Sequence, residues 1–137
     1  MTALTDPSMA NDRRTILIVD DDVALHHLLA RMITRMGFVP ITASNGHDAI
    51  SVVGRSPELA CMVLDLVLPN MGGAEIASAV RRIAPDLPII LMSGYALPRD
   101  IASIPNQSVV GFLVKPFTSD DLRRLIHQAV ASHGPVA

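Results

Sequence analysis

The sequence is almost without cysteine. Cys61 is the single residue of that type in 137, which excludes an internal disulfide and fits a reducing cytosol, so the chain is expected in the cytoplasm. Its neighbours are apolar, and packing is its expected role. Charge of one sign is scarce too: the formal net charge is −2. Without a basic surplus, no direct nucleic-acid binding is expected. Long hydrophobic runs are also missing. Half of the residues are hydrophobic, yet Asp, Pro, Gly or Arg breaks every run well before the roughly 18 residues of a spanning helix, so no membrane segment is expected. The opening MTALTDPSMANDRR lacks the apolar centre of a secretory signal, and residues 1–13 are expected to be a flexible polar tail. No repeat, linker or low-complexity block divides the chain, whose length suffices for one core and not two.

What is present is an alternation. Short runs rich in Val, Ile, Leu or Met at Thr15 to Val19, Phe38 to Thr42, Cys61 to Leu64, Pro88 to Met92 and Val109 to Val114 read as five strands. Between Asp22 and Met36, the residues Leu25, Leu28, Leu29, Met32, Ile33 and Met36 recur at helical spacing, with Gly37 placed to end the helix. A second helix is expected from about Gly46 to Val53 behind Ser44 and Asn45. A third follows Gly73, with Ile76, Val80 and Ile83 on one face. A weak fourth covers Pro98 to Ile104, and a last begins at Thr118, where Thr118 and Asp121 form a capping box. It carries Leu122, Leu125, Ile126 and Ala129 and is expected to end near Gly134. Strands alternating with helices at this pitch imply an α/β fold with a parallel sheet covered on both faces.

In such sheets ligands gather outside the carboxyl ends of the strands. The first strand ends in Asp20, Asp21 and Asp22, the third in Asp65, the fourth in Ser93 and the fifth in Lys115. Each has an ordinary explanation as a cap, a turn residue or a surface lysine. Their coincidence at four ends of one sheet calls for more. Clustered carboxylates repel unless a cation neutralises them, and a hard divalent ion such as Mg²⁺ suits oxygen ligands while leaving room for phosphate oxygens. A hydroxyl and an ammonium beside it could steady a phosphoryl group. Asp65 is the candidate nucleophile, since carboxylates form aspartyl phosphates.

In the order ILIVDDD, MVLDLVLPNMGG, IILMSGY and GFLVKPF, from about Arg14 to Ser132, the chain resembles the receiver domain of two-component response regulators. The resemblance implies a receiver domain over residues 14–133, followed by a tail at 134–137. Its fold would be a doubly wound, flavodoxin-like (βα)5 sandwich of strand order 2-1-3-4-5. It implies that Asp65 is the phosphoacceptor, that Asp21 binds Mg²⁺ directly, Asp20 through water and Val67 through its backbone carbonyl, and that Mn²⁺ can substitute. Ser93 and Lys115 would contact the phosphoryl group. Ser93 and Phe112 would form the switch, with ordinary strand packing an equal alternative for Phe112. The bond from Lys115 to Pro116 is expected to be cis. The family often has an acidic residue where this chain has Gly72. Val67 and Tyr95 should rim the acyl phosphate; neither can orient an attacking water, so slow self-dephosphorylation is expected unless both merely pack.

The resulting function is a phosphorylation-activated switch. Asp65 takes a phosphoryl group from a sensor histidine kinase or a histidine phosphotransfer domain, and a changed surface near the fourth helix, fifth strand and fifth helix controls a downstream protein target. The chain would catalyse its own phosphorylation and dephosphorylation without being a conventional turnover enzyme. A homodimer stays open, as does the choice between a stand-alone receiver and one cut from a larger protein. One rival is a Mg²⁺-dependent phosphatase resembling the haloacid dehalogenase superfamily. Asp20 and Asp22 have the spacing of its paired aspartates, but Ala24 stands where its threonine is expected and no later acidic pair follows Lys115. The other is a receiver-like docking module that takes no phosphate. His26 and His27 are expected at exposed positions, without metal-ligand spacing. The pairs Arg81 and Arg82, and Arg123 and Arg124, are expected on solvated helix faces.

Overall fold

A computed structural model describes residues 15–94 and 109–132. The expected tails at 1–13 and 134–137, the weak helix at Pro98 to Ile104, and Tyr95 lie outside the described residues.

The elements alternate as β1 (Thr15–Val19), α1 (Val23–Arg35), β2 (Val39–Ala43), α2 (Gly46–Arg55), β3 (Leu59–Asp65), α3 (Gly73–Ile83), β4 (Ile89–Ser93), β5 (Val109–Val114) and α4 (Ser119–Ser132). All five strands run parallel in the order β2-β1-β3-β4-β5, as expected. The period-2 pleat of each central strand feeds two cores. Leu17, Val19, Met62, Leu64 and Leu91 face one with Ile76 and Val80 of α3. Ile16, Ile18, Val63, Ile90 and Met92 face the other with Leu29 and Ile33 of α1 and Leu122 and Ile126 of α4. Cys61 lies on this second side, fully buried, and burial pushes its thiol pKa well above the usual range.

The central strands are covered on both faces. The edge strands are not: Val39 on β2 and Phe112 and Val114 on β5 are exposed. Three strands differ in their bounds from the sequence expectation. β2 starts one residue later because Phe38 belongs to the end of α1, and β3 reaches back through Leu59 and Ala60 to pair with Thr15. β4 takes in Ser93.

Helix ends follow their local chemistry. Asp22 caps α1 by accepting from the N–H groups of Ala24 at 2.9 Å and Leu25 at 3.3 Å. At the other end Gly37, with φ of 93°, donates to Thr34 O, and Phe38 N–H reaches Ile33 O, a Schellman closure that needs the left-handed residue. Asn45 caps α2 through Asp48 N–H at 2.8 Å. The expected box opens α4: Asp121 N–H donates to Thr118 Oγ1 at 3.0 Å, and Thr118 N–H donates to Asp121 Oδ2 at 3.1 Å. Two residues expected on inner helix faces are half exposed, Leu28 at 48% and Ile83 at 47%. On α1 the inward stripe is instead His26, Leu29 and Ile33.

Candidate functional site

Because every strand runs the same way, the carboxyl ends of β1, β3, β4 and β5 share one rim. Asp20 follows β1, Asp65 and Ser93 end β3 and β4, and Lys115 follows β5. The register sets them side by side: Asp65 pairs with Met92, and Lys115 N–H donates to Ser93 O at 2.8 Å. Asp20, Asp65 and Ser93 are all buried.

Lys115 Nζ joins the acids. It donates to Asp65 Oδ2 at 3.0 Å and to Asp20 Oδ2 at 3.1 Å. The remaining oxygens of both carboxylates are held by backbone, Asp65 Oδ1 by Val67 N–H at 2.9 Å and Asp20 Oδ1 by Asp22 N–H at 2.8 Å. Asp21 is exposed, yet Asp20, Asp21 and Asp65 each offer a carboxylate oxygen within 4.8 Å of the others. One ammonium therefore faces three carboxylates. Burial raises the Asp65 pKa above its ordinary value, the Val67 N–H and Lys115 pull it down, and Asp20 pushes it up again. Burial alone would lower the Lys115 pKa, but its bonds to Asp65 and Asp20 and their charges outweigh that and raise it. The residual negative charge and an all-oxygen donor set fit a hard divalent cation, with Asp20, Asp21 and Asp65 as the holding residues.

The loop after β3 is shaped by close backbone approach. Gly73 N–H donates to Leu66 O at 3.1 Å, and a Cβ on Gly73 would stand 2.7 Å from Leu66 Cα. Asn70 takes a positive φ of 73°, which asparagine tolerates better than most residues. Val67, whose N–H holds Asp65, is 58% exposed. Gly72, where an acidic residue is common in the family that the sequence resembles, occupies the N-cap of α3 without any side-chain cap.

The bond between Lys115 and Pro116 is cis, as expected. Phe112 is 39% exposed on the edge strand β5. Arg123 and Arg124 pair with Asp120 and Asp121 on the outer face of α4, in keeping with a solvated face. The histidine expectation is half corrected. His27 is exposed, but His26 is buried, and its Nε2 hydrogen-bonds the backbone carbonyl of Asp20. The signal was there, since 26, 29 and 33 share one helical face; a polar residue type concealed it.

Residues 16–127 match the family model described as response regulator receiver domain. Over 127 residues the chain is 28% identical to the transcriptional regulatory protein GlrR of Escherichia coli, covering 93% of this chain but 28% of that protein, so it spans little more than a quarter of that relative's length. Among solved structures, a sensor protein from Polaromonas is 31% identical, with a TM-score of 0.77 over 89% of this chain and 99% of that one. The receiver domain of a Pseudomonas aeruginosa sensor histidine kinase, whose structure holds magnesium in its active-site cleft, is 21% identical. Its TM-score is 0.78 over 87% of this chain and 98% of that one. These matches give no support to the dehalogenase-like phosphatase. Family match, strand order and converging acids agree, and the chain belongs to the response regulator receiver domains, the phosphorylation-activated switches of two-component signalling.

Proposed function

We propose that Asp65 is the phosphoacceptor of this receiver, and that Asp20, Asp21 and the backbone carbonyl of Val67 complete a Mg²⁺ site around it, with Mn²⁺ as a substitute. The observation that carries the reading is the Lys115 ammonium, bonded at once to Asp65 and Asp20 at 3.0 and 3.1 Å. A cation placed there can leave one acid for the other, or for a phosphoryl oxygen, without leaving the pocket. When bound, the metal would neutralise phosphoryl oxygens during transfer. The chain's own part is positioning. Val67 N–H holds one oxygen of Asp65 and so orients the carboxylate, Lys115 takes up charge as the phosphoryl group arrives, and the buried Ser93 stands beside it to bond a phosphoryl oxygen. Ser93 and Phe112 form the switch, which the surface position of Phe112 on β5 supports.

The donor is a phosphohistidine of a sensor kinase or phosphotransfer domain, and the reader of the changed surface is a protein target. The folded unit is residues 14–133, and the setting is the cytoplasm; no helix among the described residues is long and apolar enough to cross a membrane. Val67, and Tyr95 beyond the described residues, leave the acyl phosphate without a water-orienting group, so its self-hydrolysis is slow. Incubating the protein with acetyl phosphate and Mg²⁺ tests the assignment. One phosphoryl group per chain is expected, lost in Asp65→Asn and on chelation. Labelling that survives Asp65→Asn, or turnover of a phosphate ester, would overturn it.

A further inference from the structure

We infer that His26 is a positioning residue for the acidic pocket, holding the peptide between Asp20 and Asp21 so that the exposed Asp21 carboxylate stays turned toward Asp65. The inference rests on the proposed metal and phosphoryl role of that pocket and adds a residue to it.

Asp20 lies just past β1 and is fully buried, so its backbone groups need partners that the sheet alone does not guarantee. All four of its polar positions are tied. Its N–H donates to Ala43 O at 3.1 Å, Oδ1 accepts from Asp22 N–H at 2.8 Å, and Oδ2 accepts from Lys115. The carbonyl accepts from His26 Nε2. A carbonyl can only accept, so Nε2 carries the proton.

Asp21 is the opposite case. Its side chain is exposed, and among the described residues no hydrogen bond or ion pair holds its carboxylate. Its direction follows from the backbone that enters it, and that backbone is the Asp20–Asp21 peptide whose oxygen His26 grips. The grip is firm because His26 sits in the first turns of a capped helix: its own N–H donates to Asp22 O at 3.0 Å, and Asp22 caps α1. The imidazole thus ties the peptide before one acid to the helix that follows the next. Leucine here would fill the space and lose the bond, leaving a buried carbonyl unpaired and the peptide free to rotate.

The test separates positioning from packing. His26→Met, His26→Gln and, as a packing control on the same helix face, Ile33→Val are compared by Mg²⁺ titration followed through the backbone amide resonances, and by thermal unfolding in chelator. Groups that orient metal ligands typically carry about 10- to 100-fold in affinity. His26→Met is expected to weaken Mg²⁺ binding by about tenfold, and His26→Gln, which keeps an N–H donor at similar reach, to stay within about threefold of the unaltered protein. Ile33→Val is expected to lose stability and keep its affinity. In the unaltered protein, long-range imidazole nitrogen spectra in chelator should show His26 protonated at Nε2, a readout that stands even should His26→Met fail to fold. An unprotonated Nε2, an unchanged affinity in His26→Met, or an affinity in Ile33→Val that falls with its stability would each overturn the inference. Failure of the unaltered protein to bind Mg²⁺ or accept phosphate would instead sink the proposed function, with the imidazole spectrum still reporting on His26.

Discussion

Lys115 and Asp65, 50 residues apart in the chain, meet at 3.0 Å in a pocket where carboxylates outnumber the ammonium. The same ammonium reaches Asp20 at 3.1 Å, so its removal strands two buried acids together. Lys115→Met is expected to lower metal-free stability by about 2 kcal/mol, modest for a buried pair because part of the lysine stays in water. The same change should tighten Mg²⁺ binding, since the ion no longer competes with an ammonium. Thermal melts with and without Mg²⁺ check both, and a smaller Mg²⁺-induced rise in Tm than in the unaltered protein would contradict the second.

Asp65 titrates against the fold. Burial leads the causes that raise its folded pKa above the ordinary 3.8, so the native state holds this proton more tightly than the unfolded chain does. Its contribution is most favourable at low pH and is lost as pH rises from about 4 through the folded value. In chelator, the stability of Asp65→Asn minus that of the unaltered protein should therefore grow with pH across this window and then level off. Lys115, raised as well, contributes stability that is lost only in the alkaline range, as pH climbs through its folded pKa. Urea unfolding at a series of pH values measures the difference, and a flat difference would refute the assignment.

Two adjacent glycines should respond in opposite directions. A Cβ on Gly73 would press on Leu66 Cα at 2.7 Å, backbone that cannot yield without moving the loop behind Asp65. Gly73→Ala is expected to cost about 2 kcal/mol and to weaken Mg²⁺ binding. Gly72 has open space and an extended φ of −73° at the N-cap, with Glu75 three residues on. Gly72→Ser completes a capping box and should add about 0.5–1 kcal/mol. Denaturant midpoints compare the two.

The box on α4 carries its own pH signature. Its backbone and side-chain bonds to Thr118 hold the Asp121 carboxyl below its usual pKa. That contribution is present above the unfolded pKa and is lost as pH falls through the lower folded value. Thr118→Ala should lower Tm by a few degrees at neutral pH, and the gap should shrink at the acid end of the range. A gap of constant size would show that Asp121 plays no part in it.

Strand-end chemistry was the legible part of the site. Asp20, Asp65, Ser93 and Lys115 each follow or close an apolar run, and a parallel sheet leaves them no other place than one rim. His26 was harder to read. A helix pattern scores side chains by apolarity, so Leu28 outranked a histidine that is buried only because a carbonyl at the end of β1 needs a donor. Leu59 and Ala60 were missed for a related reason: after Pro57 and Glu58, two residues without β-branching give little sign of a strand until their pairing with β1 is seen. The edge strands deviate because half their environment is solvent, which the expectation of two covered faces did not allow for.

The inertness of Cys61 has a practical use. A lone thiol sealed inside the sheet, and disinclined to ionise, leaves maleimide reagents with no native target under folding conditions. A cysteine placed at Val114 or at another outward position would therefore take up a fluorophore or spin label alone, and the unaltered background would let rearrangement of the β5 surface be followed in real time as phosphodonor is added.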